Sequence, residues 1–136
     1  MKQLLIIIFF LPICTIGQNS LSVVVLGVKN SDGDIRVAAY NSSDDFLKHD
    51  KVFKGRSAKA IKGSTHLVID NLPEGNYALA VFHDENSNGE LDTNWLGIPK
   101  EPVGFSNAKK KTFGPPKFTE CVIDLKKDSY VTVVLQ

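Results

Sequence analysis

Short runs of β-branched and aromatic residues alternate with clusters of Gly, Pro, Asn, Asp and Ser along most of the chain. That alternation predicts strands separated by turns. Leu21 to Val28 opens the series, and Asn30-Ser31-Asp32-Gly33-Asp34 is a turn cluster leading into a second strand from Ile35 to Tyr40. Ser42-Ser43-Asp44-Asp45 precedes Phe46 and Leu47. A Ser or Asp accepting from free backbone N–H groups predicts one short helical turn there. Val52 to Ile61 is expected to hold an edge strand, with Lys51, Lys54, Arg56, Lys59 and Lys62 opposing edge-to-edge pairing.

In the next segment Thr65, Leu67 and Ile69 fall on one face, His66, Val68 and Asp70 on the other. Leu72-Pro73-Glu74-Gly75 predicts a turn. Tyr77 to His83 is apolar on both faces: Tyr77, Leu79 and Val81 oppose Ala78, Ala80 and Phe82, as in a central strand covered on both sides. Cys121 to Leu125 and Tyr130 to Leu135 complete the set. About seven strands without a long helical period predict an all-β, Greek-key sandwich of Ig-like type. One long connection, Asp84 to Phe118, has little periodicity, and a loop of that length is functional or specifically stabilised.

The chain start reads differently. Met1 and Lys2 are followed by an apolar run from Leu4 to Ile13 broken only by Pro12, and Thr15-Ile16-Gly17 places small residues before Gln18. This is the anatomy of a secretory signal over residues 1–17, leaving one domain over residues 18–136. A membrane span takes about 20 apolar residues, more than this run offers. Lipid anchoring at Cys14 is an alternative, opposed by the bulk of Ile13 where a small residue is wanted. The expected location is therefore exported: periplasmic, extracellular or surface-associated, with no integral membrane segment after processing. The formal net charge of +1 includes Lys2, so the processed chain is close to neutral and has no steering charge for nucleic acid. Lys109-Lys110-Lys111 is too short for a polyanion site and reads as a solvated loop. With Cys121 alone after processing, no internal disulfide forms, so packing must carry stability, helped by any bound ion.

The most specific chemistry lies in Asp84-Glu85-Asn86-Ser87-Asn88-Gly89-Glu90-Leu91-Asp92. Asp84, Asn86 and Asn88 place side-chain oxygens at alternate positions, Gly89 permits a sharp turn, Glu90 offers a main-chain carbonyl, and Asp92 follows. This is the spacing with which a calcium loop wraps Ca2+. The twelfth position of a helix–loop–helix calcium site is a bidentate Glu, whereas here it is Trp95, and a strand enters the loop. Further oxygens would come from Glu101 or Asp70. The competing reading is a metal-free polar turn, because Asn88-Gly89 is a strong turn signal and Asp and Asn bond neighbouring backbone. Two carboxylates imply weak calcium binding, about 10⁻⁴ to 10⁻³ M. Downstream, Trp95-Leu96-Gly97-Ile98-Pro99, Pro102 to Asn107 and Gly114 to Phe118 mix aromatics, glycines and prolines. Such residues either fold back on the sandwich or line a groove, and Trp95 and Phe105 are the anchors a ligand or protein partner would use.

Leu72-Pro73-Glu74-Gly75-Asn76-Tyr77-Ala78, Asp84-Glu85-Asn86 through Leu91-Asp92, Gly97-Ile98-Pro99 and Gly104-Phe105-Ser106-Asn107 occur in order. This series resembles the bacterial DUF2141 family of exported proteins, whose function is unknown. The resemblance covers nearly all of the processed chain and implies fold and location without an active site. The Leu-Pro-x-Gly-x-Tyr element is also similar to transthyretin-like and carboxypeptidase-regulatory-like sandwiches. For enzymes, the chain has no Gly-x-Ser-x-Gly elbow, His-Glu-x-x-His helix or phosphate-binding glycine loop. His49 sits in a polar stretch beside Asp50, His83 and Asp84 should face opposite ways, and Cys121 shares an apolar face with Ile123 and Leu125. The sequence therefore reads as a non-catalytic binding or structural module. A small-molecule carrier or enzyme using a site near Trp95 and Phe105 is the alternative, and docking through edge strands is a third reading.

Overall fold

Period-two burial builds both layers of the molecule. The computed structural model describes residues 17–108, 111 and 113–136; the expected leader, apart from Gly17, lies outside them. β1 (Gln18–Val28) sends Leu21, Val23 and Val25 inward. It pairs antiparallel with β4 (Gly63–Pro73), setting Leu21 opposite Ile69 and Val25 opposite Thr65. On its other side it runs parallel to β8 (Ser129–Val134), with Val23 beside Val131 and Val25 beside Val133. The second sheet has the order β3 (Lys54–Lys59), β2 (Asp34–Tyr40), β5 (Gly75–Asp84), β6 (Val103–Phe105), with β7 (Ile123–Leu125) also pairing with β5. Ile35, Val37 and Ala39 from β2 and Tyr77, Leu79 and Val81 from β5 meet the β1, β4 and β8 residues in one core. The result is an all-β sandwich of a three-stranded and a five-stranded sheet, of the Ig-like and transthyretin-like kind expected.

Among the described residues eight strands replace the expected seven or so, because Val103–Phe105 forms a short strand inside the long connection. At Gly104 a Cβ would lie 2.6 Å from the Val134 carbonyl oxygen, so only glycine lets the edges of the two sheets approach there. Val103 and Gln136 exchange main-chain hydrogen bonds of 3.3 and 3.0 Å at the same corner. Lysine-rich β3 is the edge expected from its charges, and Arg56 reaches across to Asp70 of β4 at 3.9 Å.

Two local expectations need correction. The helical turn foreseen at Phe46-Leu47 is a series of hydrogen-bonded turns, with Leu47 at a φ of 64°, and the helical turn that forms is a 3-10 turn at His49–Lys51. The strand foreseen from Cys121 to Leu125 begins only at Ile123, because Phe118–Cys121 forms a single helical turn, α1. Its start is held by Glu120, whose carboxylate accepts from the Lys117 N–H at 2.6 Å. Lys111 reaches the same carboxylate at 2.7 Å; Lys109 and Lys110 of the expected solvated run lie outside the described residues.

The Leu72–Tyr77 element closes the β4–β5 corner. The Tyr77 hydroxyl donates to the Pro73 carbonyl at 2.8 Å while its ring lies in the core. Tyr77→Phe keeps the ring and deletes this bond, so it should cost about 1 kcal/mol and lower the melting temperature by about 4 °C in calorimetry. Cys121 is fully buried, and that burial, reinforced by adjoining Glu120, pushes its thiol pKa up to about 11. A thiol reagent at pH 8 should leave the native protein unlabelled and modify Cys121 once denaturant is added; rapid native labelling would contradict this placement.

Candidate functional site

Alternation along β5 sends His83 inward and Asp84 outward, as foreseen. His83 is buried, with Nε2 at 2.7 Å from the Asp32 carbonyl oxygen, so the two residues do not form an acid–base pair. Asp84 is fully buried despite its outward direction. On the neighbouring strand Arg36 also points outward, and its Nε donates to Asp84 Oδ2 at 2.6 Å. Gly89 N–H donates to the same oxygen at 2.9 Å, and Asn88 N–H donates to Oδ1 at 3.1 Å. Burial by itself raises the Asp84 pKa. The hydrogen bond from Arg36, those from Gly89 and Asn88, and the Arg36 charge outweigh that effect, so the carboxyl titrates below its ordinary value.

The turn winds around this anchor. Asn86 Oδ1 accepts from Asn88 N–H at 3.2 Å, and Asn88 Oδ1 accepts from Glu90 N–H at 2.9 Å, two successive Asx turns. Ser87 and Gly89 take positive φ, 56° and 81°, which turns the chain sharply enough to bring Asp92 back. Asp92 then accepts from the side-chain amides of Asn86, at 2.6 Å, and Asn88, at 2.9 Å. Asp84, Asn86, Asn88 and Asp92 are thus linked, each within hydrogen-bond reach of another member of the set. Glu101, suggested as an extra oxygen donor, is buried and spans the base of the turn: Oε1 accepts from Glu85 N–H and Oε2 from Asp92 N–H, both at 3.1 Å. Asp70 is not brought here; it sits on β4 with Ser20 and Arg56. Among the described residues no group of three or more His, Cys, Asp or Glu is gathered in metal-binding fashion. A cation at this turn would therefore rest on two carboxylates supplemented by amide and main-chain oxygens.

Beside the turn, the outer face of the five-stranded sheet forms an open groove of about 1110 Å³. Its floor includes a row across four strands, Gly55, Ala38, Ala80 and Phe105, set by the strand register. Leu91, Leu96, Ile98 and Pro99 from the long connection line its wall. Tyr40, Leu47 and Val52 also line it, with Phe46 behind them stacking edge-on against Tyr40 at 5.5 Å and Phe118 at 5.8 Å. Phe105 lies in this groove, whereas Trp95 is 90% exposed and does not line it.

A family model described as an uncharacterized protein conserved in bacteria, DUF2141, matches residues 23–133. The chain belongs to the DUF2141 family. The matched span runs from β1 through β8, so the turn and the groove both lie within the DUF2141 region. No curated protein and no solved structure matches the chain. Two parts of this DUF2141 site escaped sequence reasoning. Arg36 lies 48 positions before Asp84 and carries no motif; its trace is a polar residue on the outward face that also carries Asp34, Ala38 and Tyr40. The groove's trace was the apolar outer face of β5, read there as simple coverage.

The depressed Asp84 pKa has a defined sign. Its stabilising contribution is fully present above the unfolded value of about 4 and is lost as pH falls through the lower folded value. Asp84→Asn should therefore be less stable than the parent by about 1–3 kcal/mol at pH 7. Urea midpoints should show that gap closing below about pH 4; a gap independent of pH would contradict the charge assignment.

Proposed function

We propose that this chain is an exported, non-catalytic binding module whose Asp84–Asp92 turn is ordered by a weakly held calcium ion. The observation that carries the reading is the convergence of Asp84, Asn86, Asn88 and Asp92 on one tight turn with two Asx turns. Among the described residues Asp84 Oδ1 has a single hydrogen bond, from Asn88, so a lone pair is left for a cation. Calcium would replace the two amide donors as the partner of Asp92, with the Asn86 and Asn88 carbonyl oxygens and the Glu90 main-chain carbonyl completing the set. Arg36, on the other carboxylate oxygen, would continue to hold Asp84 in place. Export is supported by the leader pattern of residues 1–17, and millimolar calcium outside the cell suits so weak a site. Among the described residues no helix is long and apolar enough to cross a membrane.

A second reading, a small-molecule carrier acting beside Phe105, is favoured by the groove on the outer sheet face. For the ion reading, a dissociation constant near 10⁻⁴ M in millimolar calcium adds about 1.4 kcal/mol. Calorimetry of the processed protein should show melting about 5 °C higher in millimolar calcium than in chelator. Asp92→Ala should abolish the calcium gain, read as the difference between calcium and chelator for the variant itself, since the variant also loses the Asn86 and Asn88 hydrogen bonds in chelator. Identical melting of the parent protein in calcium and chelator would overturn the ion assignment.

A further inference from the structure

An outward strand face that meets solvent is ordinarily polar. Here the outer face of the five-stranded sheet leaves Ala38 of β2 and Ala80 and Phe82 of β5 partly exposed, and Arg36 and the buried Tyr40 line the same groove. The long connection arches over this face without filling it, and the groove beneath exceeds the roughly 300–1,000 Å³ typical of small-ligand sites. Gly55, Ala38 and Ala80 give a floor of backbone and Cβ atoms on which a slender apolar chain can lie.

Charge selects the head group. Among the described residues the lining includes Arg36, Arg56, Lys111 and His49 but no Asp or Glu. Arg56 is directed at Asp70, and Lys111 is held by Glu120. Arg36 differs: Asp84 takes its Nε, while its two Nη groups donate no hydrogen bond among the described residues. A guanidinium fork with one arm fixed and the others free is suited to a carboxylate. Along β2 the outward positions run Arg36, Ala38, Tyr40, about 13 Å at the strand rise of about 3.3 Å per residue. A head at Arg36 would thus send its tail over Ala38 and Ala80 toward Tyr40.

We infer that the outer groove binds a free medium-chain fatty acid, with its carboxylate on the Arg36 Nη groups and its tail on the Ala38–Ala80 floor. This rests on the carrier reading of the same groove and names its ligand class; it is independent of the calcium reading, which concerns the turn and not the sheet face.

The test is calorimetric titration of the processed protein with dodecanoate below its micellar concentration, in chelator and again in calcium. Saturable micromolar binding in chelator would support the groove even where calcium leaves the melting temperature unchanged, so the two readings fail separately. Dodecyltrimethylammonium, with a similar tail and the opposite head charge, should bind at least about tenfold more weakly. Ala80→Leu, which fills the floor from the outer face, should also weaken dodecanoate at least about tenfold while melting within a few degrees of the parent. Equal binding of both amphiphiles, or an Ala80→Leu variant that folds and retains full affinity, would overturn the proposal. So would a dimer that Ala80→Leu dissociates in the absence of dodecanoate uptake, which would assign the face to a second copy of the chain. Should Ala80→Leu fail to fold, the head-group comparison on the parent protein decides alone.

Discussion

A carboxylate without solvent exposure must have its charge and lone pairs met inside the protein, and Asp84 is that group here. Its partners come from two directions: Arg36 from the neighbouring strand, and the Asn88 and Gly89 N–H groups from the turn that follows. Each partner fixes the position of another. Because Arg36 is spent at Nε, its planar fork is oriented; because the turn must place two N–H groups on one carboxylate, its path is set. The β1–β2 turn is drawn into the same arrangement. A Cβ at Gly33 would lie 1.9 Å from the Asp84 carbonyl oxygen, so this approach is open to glycine alone.

The rest of the long connection is tied down by similar means. Glu101 clamps the two ends of the turn through the Glu85 and Asp92 N–H groups. Farther on, the buried Ser106 hydroxyl accepts from Leu79 N–H at 2.9 Å and donates to the Cys121 carbonyl at 2.6 Å, joining β5 to α1. Asn107, at a φ of 55°, donates to the Val122 carbonyl. A segment that buries few apolar residues of its own is thus positioned by polar contacts to backbone. The exposed apolar residues it carries, Trp95, Leu96 and Ile98, are left outside the core by this arrangement.

The two readings of the site share one structural element. The turn that would hold calcium also carries Leu91, which lines the groove, and the Asp84 that anchors the turn also holds Arg36 at the groove's edge. Ordering of the turn by an ion and occupation of the groove would therefore be physically connected, although each would depend on its own chemistry. Oxygen donors would govern the first; apolar area and one guanidinium would govern the second.

The sequence by itself determined the all-β class, the division of β4 and β5 into two faces, the edge character of β3 and the opposed directions of His83 and Asp84. These follow from a period of two along an extended chain and from local turn chemistry, both of which act between near neighbours. The spacing of Asp84, Asn86, Asn88 and Gly89 was legible for the same reason, since Asx turns span only a few residues. Tertiary structure decided what joins across the chain. It paired Arg36 with Asp84, withdrew Asp70 to the other sheet, turned Glu101 onto the backbone and left Trp95 exposed while Phe105 joined the groove. It also turned the small outward residues of two non-consecutive strands and one glycine of β3 into a single floor. Register between distant strands sets those contacts, and no single segment of the sequence carries it.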